Sequence, residues 1–497
     1  MNIMSSNFFK KALPVLMLFF VSVLVSLSFK ENPFSNFLPG HDSSMFLYFG
    51  KGIEKGLIPY KDMLDHKGPM LWLIEYVGVS LSSGATYYGV YLFELVSVFF
   101  TLFFTFKSTK LLSNSVIAII STLIPVTLYV QVFEGGNLSE IFALPFIMLS
   151  VFVMLKYLLT RELSFGTALI VGFSLFVVFQ IRANMIAAWI AFAIVIMGNA
   201  IINREKIFSS VVLPVTLGFI VPNIIVAAYF IKNGAFYDYI NQAFMINLKY
   251  SSATLDQKIN VSKIFFSILS EYGFSVFFAL AIIYVFFEKK IFIKQSMLAI
   301  VLFAILNFYT LIISGNVFLH YISTEVPIIS LLASYTLLTV SRSFVEGNYA
   351  EFKVLSVMIV ALLIIPAIGY VKSYATIRNI NESFNNDKVI DKAVAHYVKT
   401  HTTEKDTIYV NNMDANIYLL SGRYSNSRYF VLPALDYEKF PAIRKEFKNG
   451  LVKKSPKFIV VRSDYGSIKM DGIVKSVVRD KYKLVKRIGY LMIYTLK

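Results

Sequence analysis

A small set of ionisable residues sits at the borders of long apolar runs, where few chemical roles are open to them. His41 and Asp42 head an amphipathic stretch shortly after the first apolar run ends. A carboxylate placed there can accept a proton from an attacking hydroxyl or join His41 at the start of a divalent metal site. It can also simply cap the helix that follows, a role worth about 1 kcal/mol. Lys67, within Asp65-His66-Lys67-Gly68-Pro69, can reach a lipid phosphate at headgroup depth or serve as a snorkelling anchor. Glu134 and Glu140 bracket Gly135-Gly136-Asn137-Leu138-Ser139; paired glycines admit a ligand close to backbone and equally make a tight turn. Arg182 interrupts an apolar stretch. A membrane arginine costs roughly 2.5–3.5 kcal/mol at mid-bilayer on insertion scales, so it calls for a partner or an anionic ligand. His320-Tyr321 open a later apolar run, and a structural role is the alternative to a ligand-facing one. Glu94, Glu271 and Glu325 lie inside apolar runs, which fits either proton coupling or polar helix packing.

What must position these side chains is a set of membrane helices. The chain is 497 residues long, 57% hydrophobic and 15% charged, well below the roughly one quarter charged of soluble domains. Its net charge of +17 falls mostly between apolar runs, where cations orient helices and attract lipid phosphates; nucleic acid is not the implied partner. Cysteine is absent, so disulfides, thiolate metal sites and a cysteine nucleophile are excluded. A crossing needs roughly 20 apolar residues, and about eleven candidate spans follow. They fall at 12–29, 86–106, 115–133, 141–158, 165–181, 185–203, 207–231, 263–287, 295–313, 320–340 and 354–371. The first run follows Lys10 and Lys11 and lacks a small-residue cleavage site, so it reads as a retained span. Cations recur on the side of Lys10, at Lys107, Arg161, Arg204, Lys290 and Arg342. The positive-inside rule makes that side cytoplasmic, and an odd number of spans puts the tail outside.

Two segments stand apart from the spans. The outer loop 30–85 holds an amphipathic helix over Asp42 to Gly56 and a second apolar helix over Met70 to Leu81, too short to cross and anchored by Trp72 and Tyr76. Between them runs the turn-rich Pro59-Tyr60-Lys61-Asp62 to Gly68-Pro69. From about residue 372 charges become frequent and apolar runs shorten. Strands are read at Thr407 to Val410, Tyr429 to Leu432, Lys457 to Val461 and a final pair around Gly489; helices at Asn386 to His401, Ala415 to Ser421 and Tyr437 to Asn449. This predicts a membrane domain over 1–371 and a small extracytoplasmic α/β domain over 372–497, without a Gly-rich phosphate loop. No repeat relates the two halves, which counts against an inverted-repeat transporter.

The motifs Gly-Leu-Ile-Pro-Tyr-Lys-Asp and Asp-His-Lys-Gly-Pro-Met-Leu-Trp, following an Asp just after span one, resemble the bacterial GT-C glycosyltransferases related to protein O-mannosyltransferases and the lipid A aminoarabinose transferase. The acidic second outer loop, Arg182 after the fifth span, and His320-Tyr321 with Pro327 downstream fit the same pattern over roughly 12–371. The sequence departs from the lipid A enzymes in carrying Lys-Gly-Pro for Lys-Pro-Pro and His66 where Glu is usual. The resemblance implies an all-α polytopic GT-C helix bundle with interfacial helices in the first outer loop. It further implies a hexosyl- or pentosyltransferase that moves a sugar from a polyprenyl-phosphate donor to an extracytoplasmic glycan, lipid or protein.

The leaving group of such a donor is a phosphate, already stable as an anion, so cations matter more than a strong acid. Lys67, Arg182 and His320 are the expected phosphate-binding residues. Asp42 is the expected base, with Glu134 second, and direct displacement would invert the anomeric centre. Tyr60, Asp65, His66, Glu140 and Tyr321 are expected to position substrate; a divalent metal, if used, falls to His41 and Asp42. The rival reading is a proton-coupled transporter or flippase of a lipid-linked sugar working through Glu94, Glu271 and Glu325. A third is a scaffold that presents the tail domain.

Overall fold

The computed structural model describes residues 2–82, 87–250, 253–345, 369–382, 385–411, 414–431, 441–463 and 471–497. Contacts divide the chain into two compact units. One comprises Met1–Phe29, Phe93–Ala227 and Ser251–Asn379; the other comprises Lys30–Leu92, Ala228–Tyr250 and Ile380–Lys497.

The first unit is helical. Seven helical stretches of the described chain are long and apolar enough to cross a bilayer, among them Ser139–Thr160, Ala183–Asn203 and Leu319–Arg342. The chain is a multi-pass membrane protein with most of the expected spans. Two expected spans have apolar helical stretches short of full crossing length, Ala12–Ser26 and Phe165–Ile181, and the last, 354–371, lies largely outside the described residues. The expected single span 263–287 is instead two helices, Leu255–Glu271 and Phe274–Phe287, bent by 86°. Gly273 at the joint takes φ +81°, a left-handed conformation that glycine adopts at little cost and that ends a helix. The span at 115–133 is made of two helices, Ser115–Leu123 and Val126–Val132, that meet at Pro125, which lacks an N–H to continue the helical ladder.

The second unit joins the loop after the first span to a four-stranded sheet. The loop's two helices form at His41–Glu54 and Pro69–Ser80. They pack with Gly50 against the Glu75 backbone: a Cβ at Gly50 would lie 2.8 Å from the Glu75 carbonyl oxygen, so only glycine permits the approach. Pro69 occupies the first turn of its helix, where its missing N–H costs nothing. Phe49 stacks on Trp72 with ring centroids 3.9 Å apart, and Phe46 meets Trp72 edge-on at 5.7 Å.

The sheet runs β1-β2-β4-β3, with β1 Ile408–Asn411, β2 Phe458–Arg462, β3 Tyr482–Ile488 and β4 Leu491–Leu496. β1 and β2 pair in parallel; β4 is antiparallel to both β2 and β3. The β3–β4 hairpin turns at Gly489, φ +56°. Helices Pro441–Lys453 and Asp471–Lys481 bury Phe447, Leu451, Val474 and Val478 against Tyr409, Ile459 and Val461. Two expectations are corrected here. Tyr429, Phe430 and Val431 form no strand; next to them the Arg428 carbonyl accepts from the Leu64 N–H of the first loop, and the Phe430 carbonyl accepts from the Tyr418 hydroxyl where a strand would meet a ladder partner. The amphipathic helix Asp471–Lys481 was not anticipated, and its apolar face reads from Ile473, Val474, Val477 and Val478.

Candidate functional site

In the membrane unit, the Glu134–Glu140 turn is built by four consecutive residues of positive φ: Glu134 48°, Gly135 98°, Gly136 93° and Asn137 50°. Non-glycine residues occupy this region only when something holds them there. Here Glu94 accepts the Asn137 backbone N–H, and Gly136 is pressed against Glu94 and Phe29 so closely that a Cβ would lie 2.7 Å from each. The turn points Glu134 at His320, whose Nδ1 lies 2.5 Å from Glu134 Oε2; the His320 backbone N–H donates to the same oxygen at 3.3 Å.

Glu140, buried in the first turn of Ser139–Thr160, forms an ion pair with Arg182 and accepts from Ser139 Oγ at 2.9 Å. Arg182 stands where the helix Phe165–Ile181 ends and the backbone becomes extended. Its guanidinium lies 4.2 Å from the centroid of the Tyr321 ring, which meets His320 edge-on at 4.9 Å. Five expected site residues, Glu134, Glu140, Arg182, His320 and Tyr321, therefore form one connected group. Within it the buried Glu140 carboxylate and the Arg182 guanidinium compensate each other, as burial of a charge requires.

In the second unit, Lys67 is held from its backbone. Its carbonyl accepts from Tyr60 Oη at 2.8 Å, and that hydroxyl accepts from Trp72 Nε1 at 3.0 Å. Asp65 Oδ1 accepts the Lys67 N–H at 2.8 Å. The Lys67 ammonium sits 3.2 Å from His66 Nε2 and over the Phe46 ring at 5.6 Å. Tyr60 takes φ +70°; its own carbonyl accepts from Gln242 and that of His66 from Asn247. Tyr60 is fully buried, so it shapes the loop that carries Lys67. Burial pushes the Asp65 carboxyl above the usual range, the Lys67 charge and N–H pull it back, and neighbouring Asp42 adds to the rise.

Asp42 lies in the first turn of His41–Glu54, and Gly40 occupies the capping position. The capping alternative for Asp42 is thereby removed, although an acidic residue in the first turn still favours the helix dipole. His41 Nε2 is 3.8 Å from Asp42 Oδ1. Among the described residues no group of three or more His, Asp or Glu side chains is arranged to hold a metal ion. That donor set is too small for a closed site.

A residue that sequence reasoning passed over is Glu31. It is buried and accepts a hydrogen bond from Ser43, next to Asp42 on the same helix. Burial pushes its carboxyl up to about 7 against the pull of Ser43. In sequence it reads as a polar flank to the first span, and nothing local marks it as buried. Two of the three carboxylates of the transporter reading have structural work, and the third lies at a helix end. Glu94 holds the Asn137 turn, Glu325 accepts from Asn307 Nδ2 at 2.9 Å, and Glu271 is exposed at the end of its helix.

This architecture is that of known proteins. The crystal structure of ArnT from Cupriavidus metallidurans bound to undecaprenyl phosphate superposes with a TM-score of 0.63 at 12% identity, covering 96% of this chain and 97% of that one. Its apo form gives 0.65 at 12% identity over 97% and 98%. The oligosaccharyltransferase of Archaeoglobus fulgidus, in complex with Zn and sulfate, gives 0.52 at 13% identity over 96% and 72%. The chain thus has the GT-C membrane fold with a small C-terminal sheet domain. The chain belongs to the family described as "Putative competence-induced protein Ccs4 N-terminal domain", matched over residues 6–348, and residues 390–497 match the corresponding Ccs4 C-terminal domain. No curated protein matches it by sequence.

Proposed function

We propose that the protein is a membrane glycosyltransferase that moves a sugar from a polyprenyl-phosphate donor to an acceptor on the outer side of the cytoplasmic membrane. The observation that carries this reading is the fold shared along nearly the whole chain with an enzyme crystallised on undecaprenyl phosphate. Two groups of residues give it a chemistry. Arg182 can hold Glu140 and a phosphate together, because a guanidinium offers five N–H donors in a planar fork. His320, with Nδ1 committed to Glu134, has Nε2 to offer the phosphate when the ring is doubly protonated. Lys67 supplies a compact positive charge, and its burial strengthens whatever it pairs with.

Asp42 is the proposed base: as the acceptor oxygen bonds to the anomeric carbon, its proton passes to the carboxylate and the C–O bond to phosphate breaks. A single displacement of this kind inverts the anomeric centre. Asp65 and His66 orient Lys67, and Tyr321 flanks the Arg182 guanidinium. The N-terminus faces the cytoplasm and the sheet domain lies outside. No step is assigned to a metal. The test is turnover by the purified protein in lipid nanodiscs with a panel of polyprenyl-phosphate sugars and isolated cell-wall polymer. Sugar transfer from one donor is the expected result; no turnover with any of them, alongside intact fold, would overturn the reading.

A further inference from the structure

A cleft of about 1080 Å³ opens within the second unit, between the helix His41–Glu54 and residues of 399–407, 418–429 and 446–454. Small-molecule sites run to roughly 1,000 Å³, so this one has room for more than a single sugar. Eight basic side chains line it against four acidic ones. Some of the basic groups are already engaged: Arg428 pairs with Asp238 at 2.7 Å and Glu446 at 2.5 Å, and Arg423 donates to Thr402 and nearby carbonyls. Lys55, Lys399, Lys453 and Lys454 also line the cleft. Among the described residues their ammonium groups have neither a hydrogen bond nor an ion pair, so the surplus charge faces the opening.

Beneath them lies an ordered tyrosine layer. Tyr48 packs on Tyr418 and Tyr424 at 5.3 and 5.5 Å. The hydroxyls are committed: Tyr48 accepts from Ser425 N–H, Tyr418 donates to the Phe430 carbonyl and Tyr424 to the Lys51 carbonyl. With Tyr48 and Tyr418 buried against neighbouring rings, the layer is a rigid base and a poor platform for nucleobases, which bind single strands by stacking on open aromatic faces. The cleft is therefore fitted to phosphates more than to bases.

We propose that this cleft seats a phosphate-bearing polysaccharide, the acceptor of the transfer, with Lys55, Lys399, Lys453 and Lys454 pairing with its phosphates. The inference rests on the proposed sugar transfer, which makes the bound polyanion a glycan. Binding of poly(glycerol phosphate) to the full chain in zwitterionic nanodiscs tests it, with neutral dextran and a single-stranded oligonucleotide of equal charge alongside. Poly(glycerol phosphate) should bind, with affinity falling as salt rises, while dextran does not. The K399E/K453E/K454E variant should bind the polymer about tenfold more weakly or worse. Should that variant fold poorly, Lys55→Glu on the helix wall gives the second measurement, with a smaller loss expected.

Equal binding of dextran, equal or tighter binding of the oligonucleotide, or unchanged polymer binding by the folded variants would overturn the proposal. All of these assays omit donor. Polymer binding without turnover on any polyprenyl-phosphate sugar would count against the transfer reading alone. Turnover onto a small acceptor without polymer binding would count against the cleft alone.

Discussion

The two groups of candidate site residues handle charge in opposite ways. In the membrane unit the polar groups answer one another side chain to side chain, the Glu134 carboxylate with the His320 imidazole and the Glu140 carboxylate with the Arg182 guanidinium. In the second unit Lys67 is positioned through its backbone by Tyr60 and Asp65, with an imidazole and an aromatic face as its near neighbours. The difference teaches where each group's energy is spent. Charges among apolar helices are tolerable only when mutually compensated. A charge on a loop braced by aromatic packing can be fixed in place while its ammonium remains available to a phosphate.

The comparison breaks most sharply at Asp42. Replacement by Asn should lower kcat on the preferred donor by about 10²–10⁴-fold with little change in thermal unfolding; full transfer by a folded D42N protein would remove the base assignment. Next in size is Arg182→Ala, which strands Glu140 as a buried charge and should destabilise the membrane unit by about 3–5 kcal/mol. Recovery of most of that loss in R182A/E140Q, followed by unfolding in detergent, would sharpen the claim of mutual compensation. Failure to recover would refute it.

Glu31 gives a pH test. Its carboxyl titrates near 7 when folded against an ordinary 4.5, so the folded state retains the proton that the unfolded chain gives up. Its stabilising term is complete below about pH 4.5 and is lost as pH rises through about 7, at a slope of up to ~1.4 kcal/mol per unit. Glu31→Gln should flatten the stability profile over that window, and an unchanged profile would exclude the buried-carboxyl account. The smallest effect is expected from Tyr60→Phe. It removes the hydrogen bonds to the Lys67 carbonyl and from Trp72, costing about 1–3 kcal/mol and raising donor KM more than it lowers kcat.

Much of this fold is legible from local pattern. Pro69 and the short apolar run after it announce the helix Pro69–Ser80, and the hairpin β3–β4 is signalled by Gly489 between alternating residues. The 86° bend near Gly273 was not legible, since an apolar run broken by one glycine reads equally as a continuous span. Nor was the missing strand at Tyr429, where Phe430 instead stacks on Tyr48 of a helix far away in sequence, with ring centroids 4.0 Å apart. The site shows the same division. Arg182 advertised its need for a partner by its cost in the membrane, but only the fold named Glu140.

The sequence alone determined that this chain is a polytopic membrane protein with an amphipathic first loop and a polar tail domain, because hydropathy and charge act over neighbouring residues and need no third dimension. Which carboxylate meets which cation, that Glu31 is buried, and that lysines from the tail and the first loop line one cleft were decided by tertiary structure. Those facts depend on residues tens to hundreds of positions apart, and on the desolvation that only their packing creates.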